Sequence, residues 1–188
     1  MRKNFSDVAF YPQPVLVIGT YDENGTPNAM NVGWGGMCGS KYVNINISRR
    51  HKTTDNIFLK KAFTMSFADQ AHLVETDYFG LATGFEENKI EKAGFHARKS
   101  DFVDAPLFDE LPLTLECKVV EMEEKRGLIC IVGEVLNMSA DESILGQDGL
   151  VDADKLHALS YDRARRLYRT LGGVVGQAYH DGEQLRMK

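Results

Sequence analysis

The chain of 188 residues has no uninterrupted apolar run approaching the roughly 20 residues that a membrane-spanning helix needs. Its opening, Met1-Arg2-Lys3-Asn4-Phe5-Ser6-Asp7, lacks the apolar core of a secretion signal, so a cytosolic (cytoplasmic) protein with no membrane partner is expected. Cysteine is scarce. Cys38, Cys117 and Cys130 are an odd number at wide spacing with no CxxC pair, which argues against a disulfide framework and against a zinc site. All three are expected as small buried side chains. Surplus positive charge is missing too: 22 Lys and Arg stand against 27 Asp and Glu, a formal net charge of −5. That balance leaves no electrostatic footprint for nucleic acid or an anionic membrane, and local cation clusters become the informative ones.

Catalytic signatures are equally sparse. His51, His72, His96, His157 and His180 show no HxxxH spacing, so no metal site is expected. There is no GxSxG elbow, and Cys38 has no histidine near it in sequence to act as its base. Gly33 and Gly35 fill the first two positions of GxGxxG, but Cys38 stands at the third. The glycines at 172, 173 and 176 lie too near the C-terminus for a following βα unit, which excludes a Rossmann fold in practice.

What is present suits one domain over residues 1–188, since 43% hydrophobic content can fill one core without disulfides or metal. Residues 15–18 form a β-branched apolar run entered through Pro12-Gln13-Pro14, and Asn24-Gly25 is suited to the positive φ angles of a tight hairpin. Residues 42–48 alternate, with Val43, Ile45 and Ile47 on one face and Asn44, Asn46 and Ser48 on the other. A helix is expected from Thr53-Thr54-Asp55-Asn56, then a strand over 62–67, a short helix over 70–78, a loop over 80–84 and a charged helical turn over 86–94. Residues 113–122 and 128–138 read as a long hairpin joined by the polar turn 123–127, with irregular chain over 141–149 and a short helix over 152–159. Hairpins without βαβ alternation point to a mainly β fold, an antiparallel barrel with peripheral helices.

Two segments carry chemistry. Ser48-Arg49-Arg50-His51-Lys52-Thr53-Thr54-Asp55-Asn56 puts four potential cations and several hydroxyls at a strand-to-helix junction. The unpaired amides and positive dipole end of a helix start favour a phosphate, and arginine adds bidentate contacts. Taken alone, the segment equally suits a solvated basic turn with Thr capping. Residues 28–39 hold the sole tryptophan, Trp34, with Asn28, Asn31 and four glycines. Such a loop can bring backbone close to a flat ligand, with asparagine side chains able to pair with the carbonyl and imide edge of a flavin and Trp34 a candidate wall for its ring. By itself Trp34 reads as a core anchor and the glycines as turn formers.

In order and spacing these pieces resemble the flavin reductase-like, FMN-binding split-barrel family, in its flavoredoxin-type branch. The likeness runs through Pro12-Gln13-Pro14-Val15, the DxxGxPN hairpin at 22–28, the tryptophan loop at 31–34 and the basic segment at 48–57. It continues through 77–84 with Lys89, then 115–117 and 131–135. The resemblance implies a Greek-key split β-barrel that binds FMN at a homodimer interface. It implies a phosphate near Arg49, Arg50, Thr53, Thr54 and Asn56, and a ring near Asn31, Val32, Gly33, Trp34 and Ser48. Thr83 and Lys89 would close the site, with Tyr168 contributing from either subunit. Asn88 stands where relatives often carry an acid before the lysine. The implied activity is electron transfer or flavin reduction, with NAD(P)H or a redox protein as donor. An FMN-binding module without turnover, or a pyridoxamine phosphate oxidase-like enzyme, is the alternative.

Overall fold

The computed structural model describes residues 1–186. Seven strands make one antiparallel sheet: β1 (Leu16–Tyr21), β2 (Pro27–Val32), β3 (Gly35–Met37), β4 (Tyr42–Ile47), β5 (Ala62–Phe67), β8 (Leu113–Lys125) and β9 (Leu128–Ala140), in the order β2-β1-β5-β8-β9-β4-β3. The edge strands β2 and β3 are separated in sequence only by Gly33 and Trp34. Two residues span at most about 7 Å, so the sheet has to curl until its edges meet. The result is a barrel split between β2 and β3, the mainly β architecture expected from sequence.

Curling explains the residue patterns. Leu16 and Ile18 of β1 point into the barrel with Ile45, Phe63, Met65 and Ile131, while Val15 and Val17 pack outside against Phe79, Ile90 and Phe95. A strand covered on both faces reads as a continuous apolar run. The outer layer is carried by α2 (Leu73–Leu81) and α3 (Lys89–Ala93), with β6 (Ala97–Lys99) and β7 (Pro106–Phe108) as a small ribbon beside them. Alternation in β4 holds, with Val43, Ile45 and Ile47 buried and Asn44 and Asn46 half-buried on the other face.

Both long hairpins turn differently from expectation. At the first, Gly25 has φ +79 and Asn24 is not in the positive-φ region. The Asp22 carboxylate there accepts from the amides of Asn24 (3.0 Å) and Thr26 (2.9 Å), so a wider, side-chain-tied turn replaces a two-residue one. The tight turn instead lies at Arg126-Gly127, with φ 52 and 76, which extends β8 and β9 into the stretch read as a polar loop.

The helix α1 (Lys52–Lys60) follows β4 as expected, and Lys61 at φ 53 stops it. α2 begins three residues later than read and runs through Gly80, which lies against the side chain of Asn31, so the expected loop over 80–84 is partly helix. α3 starts at an Asn88 cap whose Oδ1 accepts from the Glu91 amide. The helix read over 152–159 is only α4 (Ala153–Leu156), since His157 turns left-handed at φ 47. The chain then enters the unforeseen ribbon of β10 (Leu159–Asp162) and β11 (Leu167–Thr170). Cys117 is buried, its thiol pushed up to about 12 mainly by burial, but Cys130 is only half-buried and Cys38 is exposed just beyond the edge strand β3, contrary to the expectation that all three are buried.

Gly133 of β9 sits over the fully buried Phe63 ring, where an added Cβ would come within 2.7 Å of the ring tip. Gly133→Ala should therefore lower stability by about 1–3 kcal/mol through overpacking, read from urea melts. An unchanged midpoint would mean that Phe63 is free to move.

Candidate functional site

Two adjoining cavities lie at the split. A cavity of about 440 Å³ is lined from β2 by Met30, Asn31 and Val32, from the link by Gly33 and Trp34, and from the β4 end by Asn46, Ile47 and Ser48. Gln13, His51, Leu128, Tyr161 and Arg163 complete it. A second cavity of about 430 Å³ runs on from it, sharing Met30, Asn31 and His51. The second is framed by Arg50, Lys52 and Thr53 at the start of α1 and by Thr83, Gly84 and Lys89 at the end of α2 and the start of α3. The whole groove is thus apolar at one end and cationic at the other.

Geometry explains each position. Trp34 is 52% exposed, so it is a wall of the groove and not a core anchor. Its carbonyl accepts from the Asn46 amide at 2.8 Å, continuing the β3–β4 pairing, while Gln13 Nε2 donates to the Gly33 carbonyl at 3.1 Å. Asn31 donates through Nδ2 to the Thr76 carbonyl of α2, which leaves its buried Oδ1 with no partner. Buried acceptors in folded proteins are ordinarily paired, which makes this oxygen, on a residue that lines the cavity, a candidate partner for an N–H donor.

At the cationic end Lys89 is only 4% exposed. Its Nζ donates to the carbonyls of Phe79 (3.0 Å) and Ala82 (3.2 Å), the free C-terminal carbonyls of α2. An ammonium has three donors, so one remains for the cavity. The carbonyls orient Lys89, and the neighbouring Asn88 serves as the α3 cap. Burial brings the Lys89 pKa down to about 8. Burial, with the Lys89 charge beside it, also holds His51 below the usual imidazole value. Thr53 is buried and its hydroxyl accepts from Asn28 Nδ2 at 2.9 Å. Lys52 reaches Asp22 at 3.1 Å. Burial works to raise the Asp22 carboxyl, but the Thr26 amide, Lys52 and the Asn24 amide together hold it below the ordinary value. Two acids, Glu86 and Glu87, share this cavity, and Glu87 is drawn to Lys92 at 2.7 Å.

Of the residues singled out from sequence, Asn31, Val32, Gly33, Trp34, Ser48, Arg50, Thr53, Thr83 and Lys89 line the groove. Four do not. Arg49 turns away, pairing with Asp55 and covering the Phe58 ring at 4.7 Å. The Thr54 hydroxyl donates to the Ser48 carbonyl at 2.6 Å, and Asn56 Nδ2 donates to Thr20 at 3.0 Å, so both fasten α1 to the sheet. Tyr168 donates to Asp77 at 2.5 Å and packs on Tyr161, supporting the groove wall from behind. Burial, then the bond to Asp77, pushes its phenol well above the usual range. Sequence reasoning missed Met30, although it stands beside Asn31 on β2, and also Leu128, Tyr161 and Arg163, which lie on elements distant in sequence from the motifs.

The flavin reductase-like domain family matches residues 8–166, and the chain belongs to that family. The flavoredoxin of Desulfovibrio vulgaris (Miyazaki F) is similar at 30% identity and a TM-score of 0.92, covering 97% of this chain and 100% of its own. The flavoredoxin of Methanosarcina acetivorans gives 28% identity and a TM-score of 0.89, with 98% of each chain covered. Both support the flavoredoxin-type branch. An FMN-binding protein from Thermus thermophilus shares the fold at 17% identity and a TM-score of 0.76, over 94% of this chain and 99% of its own. The residues present suit a flavin: an orphaned amide oxygen and an indole wall at one end, and buried cationic and hydroxyl groups at the other.

Lys89 provides a test that needs no ligand. Its depressed pKa means that the unfolded chain binds more protons than the folded one between pH about 8 and 10.5. The Lys89 contribution to stability should therefore rise with pH across that window, opposed above pH about 9 by the raised Cys117 thiol. The stability difference between wild type and Lys89→Met should accordingly move in favour of wild type as pH rises. Urea melts from pH 7.5 to 10.5 decide it, and parallel curves for the two proteins would show that Lys89 is not buried as a charge.

Proposed function

We propose that the groove holds FMN and that the protein works as a redox flavoprotein, in electron transfer or NAD(P)H-dependent flavin reduction. The observation that carries this reading is the continuity of an apolar, tryptophan-walled cavity with a cation-lined one through Asn31 and His51. The phosphate belongs at the Arg50, Thr53 and Lys89 end. There the first amides of α1 and the positive end of its dipole add to the side chains. The ring belongs between Trp34 and the β2 side chains, where Asn31 Oδ1 accepts a ring N–H. Bound FMN supplies the redox chemistry, taking up and passing on electrons.

The chain's residues then bind, orient and shield. Met30, Val32 and Leu128 keep water from one side of the groove, while the half-exposed Trp34 leaves the ring end open to a reaction partner. Arg163 stands at this end, on the β10–β11 ribbon that also carries Arg165, Arg166 and Arg169. Arg165 and Arg169 are tied to the buried Asp162. Such a rim favours a donor that bears phosphates or carboxylates, whether NAD(P)H or an acidic redox protein.

The placement of the phosphate is tested by titrating flavin-free protein with FMN and with riboflavin at fixed salt. Lys89→Met and Arg50→Ala should each weaken FMN about ten- to a hundredfold and leave riboflavin unchanged, since contacts to a charged group are worth about 1.5–3 kcal/mol. Arg49→Ala should change neither. Equal losses for both flavins would remove the phosphate from this end.

The redox role has its own measurement. The visible band of the loaded protein, mixed anaerobically with NADH, NADPH or a reduced acidic electron-transfer protein, should bleach with one of the three. Redox silence with all of them would leave a flavin-holding module.

A further inference from the structure

Trp34 lines a third cavity as well, of about 400 Å³. It meets the ring end of the groove at Trp34, Asn46 and Arg163, and is bounded beyond them by Phe10, Pro14 and Asn44. Three distant parts of the chain build it. Residues 13–15 run beside β10, where the Tyr161 amide donates to the Gln13 carbonyl at 2.7 Å and the Val15 amide to the Leu159 carbonyl at 3.3 Å. Just upstream, the Tyr11 hydroxyl donates to Asp162 Oδ1 at 2.6 Å. These bonds bring Phe10 and Arg163 to one end of the ribbon. Asn44 and Asn46 come from the polar face of β4, so the alternation that buries Val43, Ile45 and Ile47 turns two amides outward.

The lining has a distinct chemistry. Phe10 is 71% and Trp34 52% exposed, two large aromatic side chains left to water at one cavity. A flat apolar ligand would cover both. Arg163 opens the β10–β11 turn. Its neighbours Arg165 and Arg169 share the buried Asp162 at 3.2 and 3.6 Å, whereas among the described residues Arg163 has no carboxylate partner. Among those residues no aspartate or glutamate lines either cavity that Arg163 touches. In a chain where 27 acids outnumber 22 bases, a wall with one arginine and no acid selects for an anion. A guanidinium holds a carboxylate by two parallel N–H bonds.

We propose that the third cavity binds a small planar aromatic carboxylate, with its ring against Phe10 and Trp34 and its carboxylate on Arg163. The amides of Asn44 and Asn46 meet hydroxyl or carbonyl groups on the ring. Size and charge set this class. The volume lies near the lower end of the range for small-molecule pockets, about 300–1,000 Å³. A phosphate monoester carries about −1.5 to −2 at neutral pH, more than one arginine balances, whereas a carboxylate carries a single charge. Such a ligand touches the same indole that walls the groove, so its arrival is felt at the ring end without occupying the groove. The proposal stands on the third cavity and does not depend on what the groove holds.

The test uses the full chain, free of flavin and again with FMN. The probe is benzoate. Benzyl alcohol keeps its ring and loses its charge, and cyclohexanecarboxylate keeps the charge and loses the flat ring. Benzoate should give a calorimetric binding curve at fixed salt and shift the emission of the sole tryptophan, with both controls binding at least about tenfold more weakly. Arg163→Ala should weaken benzoate about tenfold and leave benzyl alcohol unchanged. Arg166→Ala, on the same turn but outside the cavity, should change neither. Phe10→Ala alters a residue that lines the third cavity and not the groove, and should weaken benzoate about three- to tenfold. All three side chains are exposed, so circular dichroism should be the same throughout. Absence of benzoate binding, equal losses in Arg163→Ala and Arg166→Ala, or full affinity in Phe10→Ala would each overturn the site. Displacement of benzoate by FMN would do so too, since the anion would then lie in the groove. Failure of FMN to bind would count against the flavin reading alone and leave the benzoate result standing.

Discussion

The two-residue link between β2 and β3 governs the molecule. Strands paired in the order β2-β1-β5-β8-β9-β4-β3 could lie in an open sheet, were the first and last of them not tethered by Gly33 and Trp34. The tether forces the curl, the curl creates an inside, and the inside is filled by Leu16, Ile18, Ile45, Phe63 and Ile131. It also sets a limit. Edges joined by so short a link face each other without continuing the ladder, and the groove occupies the seam that remains.

From the seam follows a division of labour among residues close in sequence. Arg49, Arg50, Lys52, Thr53, Thr54 and Asn56 look alike as a basic, hydroxyl-rich stretch, but the helical turn distributes them over different directions. Arg50, Lys52 and Thr53 meet the groove, Arg49 meets Asp55 and Phe58, and Thr54 and Asn56 bind the helix to its neighbours. Lys89 comes from another element and owes its direction to the carbonyl ends of α2. Cation supply at the groove thus depends on where a helix stops as much as on where one starts.

Much of this was legible in the sequence, for identifiable reasons. Period-two alternation marked β4, continuous β-branched runs marked β1, and the order of motifs along the chain carried the family resemblance. Local geometry was less readable. Asn24-Gly25 has the composition of a two-residue turn, but the Asp22 carboxylate captures two amides and widens it. Arg126-Gly127, with no asparagine to advertise it, makes the tight one. The β10–β11 ribbon went unseen because its strands have four residues each and its turn uses Arg166 at φ 56 where glycine or asparagine would signal. Arg49 and Cys38 were misplaced because side-chain direction at a helix start and at a sheet edge is set by neighbours that sequence order does not reveal.

The seam also bears on how such a chain can change over time. Strand pairing does not cross it, so residues along it, such as Trp34 and Asn46, line the groove without anchoring the seven-strand register by their side chains. Substitutions there can alter what the groove admits at little risk to folding, whereas changes at Gly133 or Phe63 cannot. A lineage built on this barrel can therefore explore new ligands by drift along one line of the surface, with the scaffold kept intact.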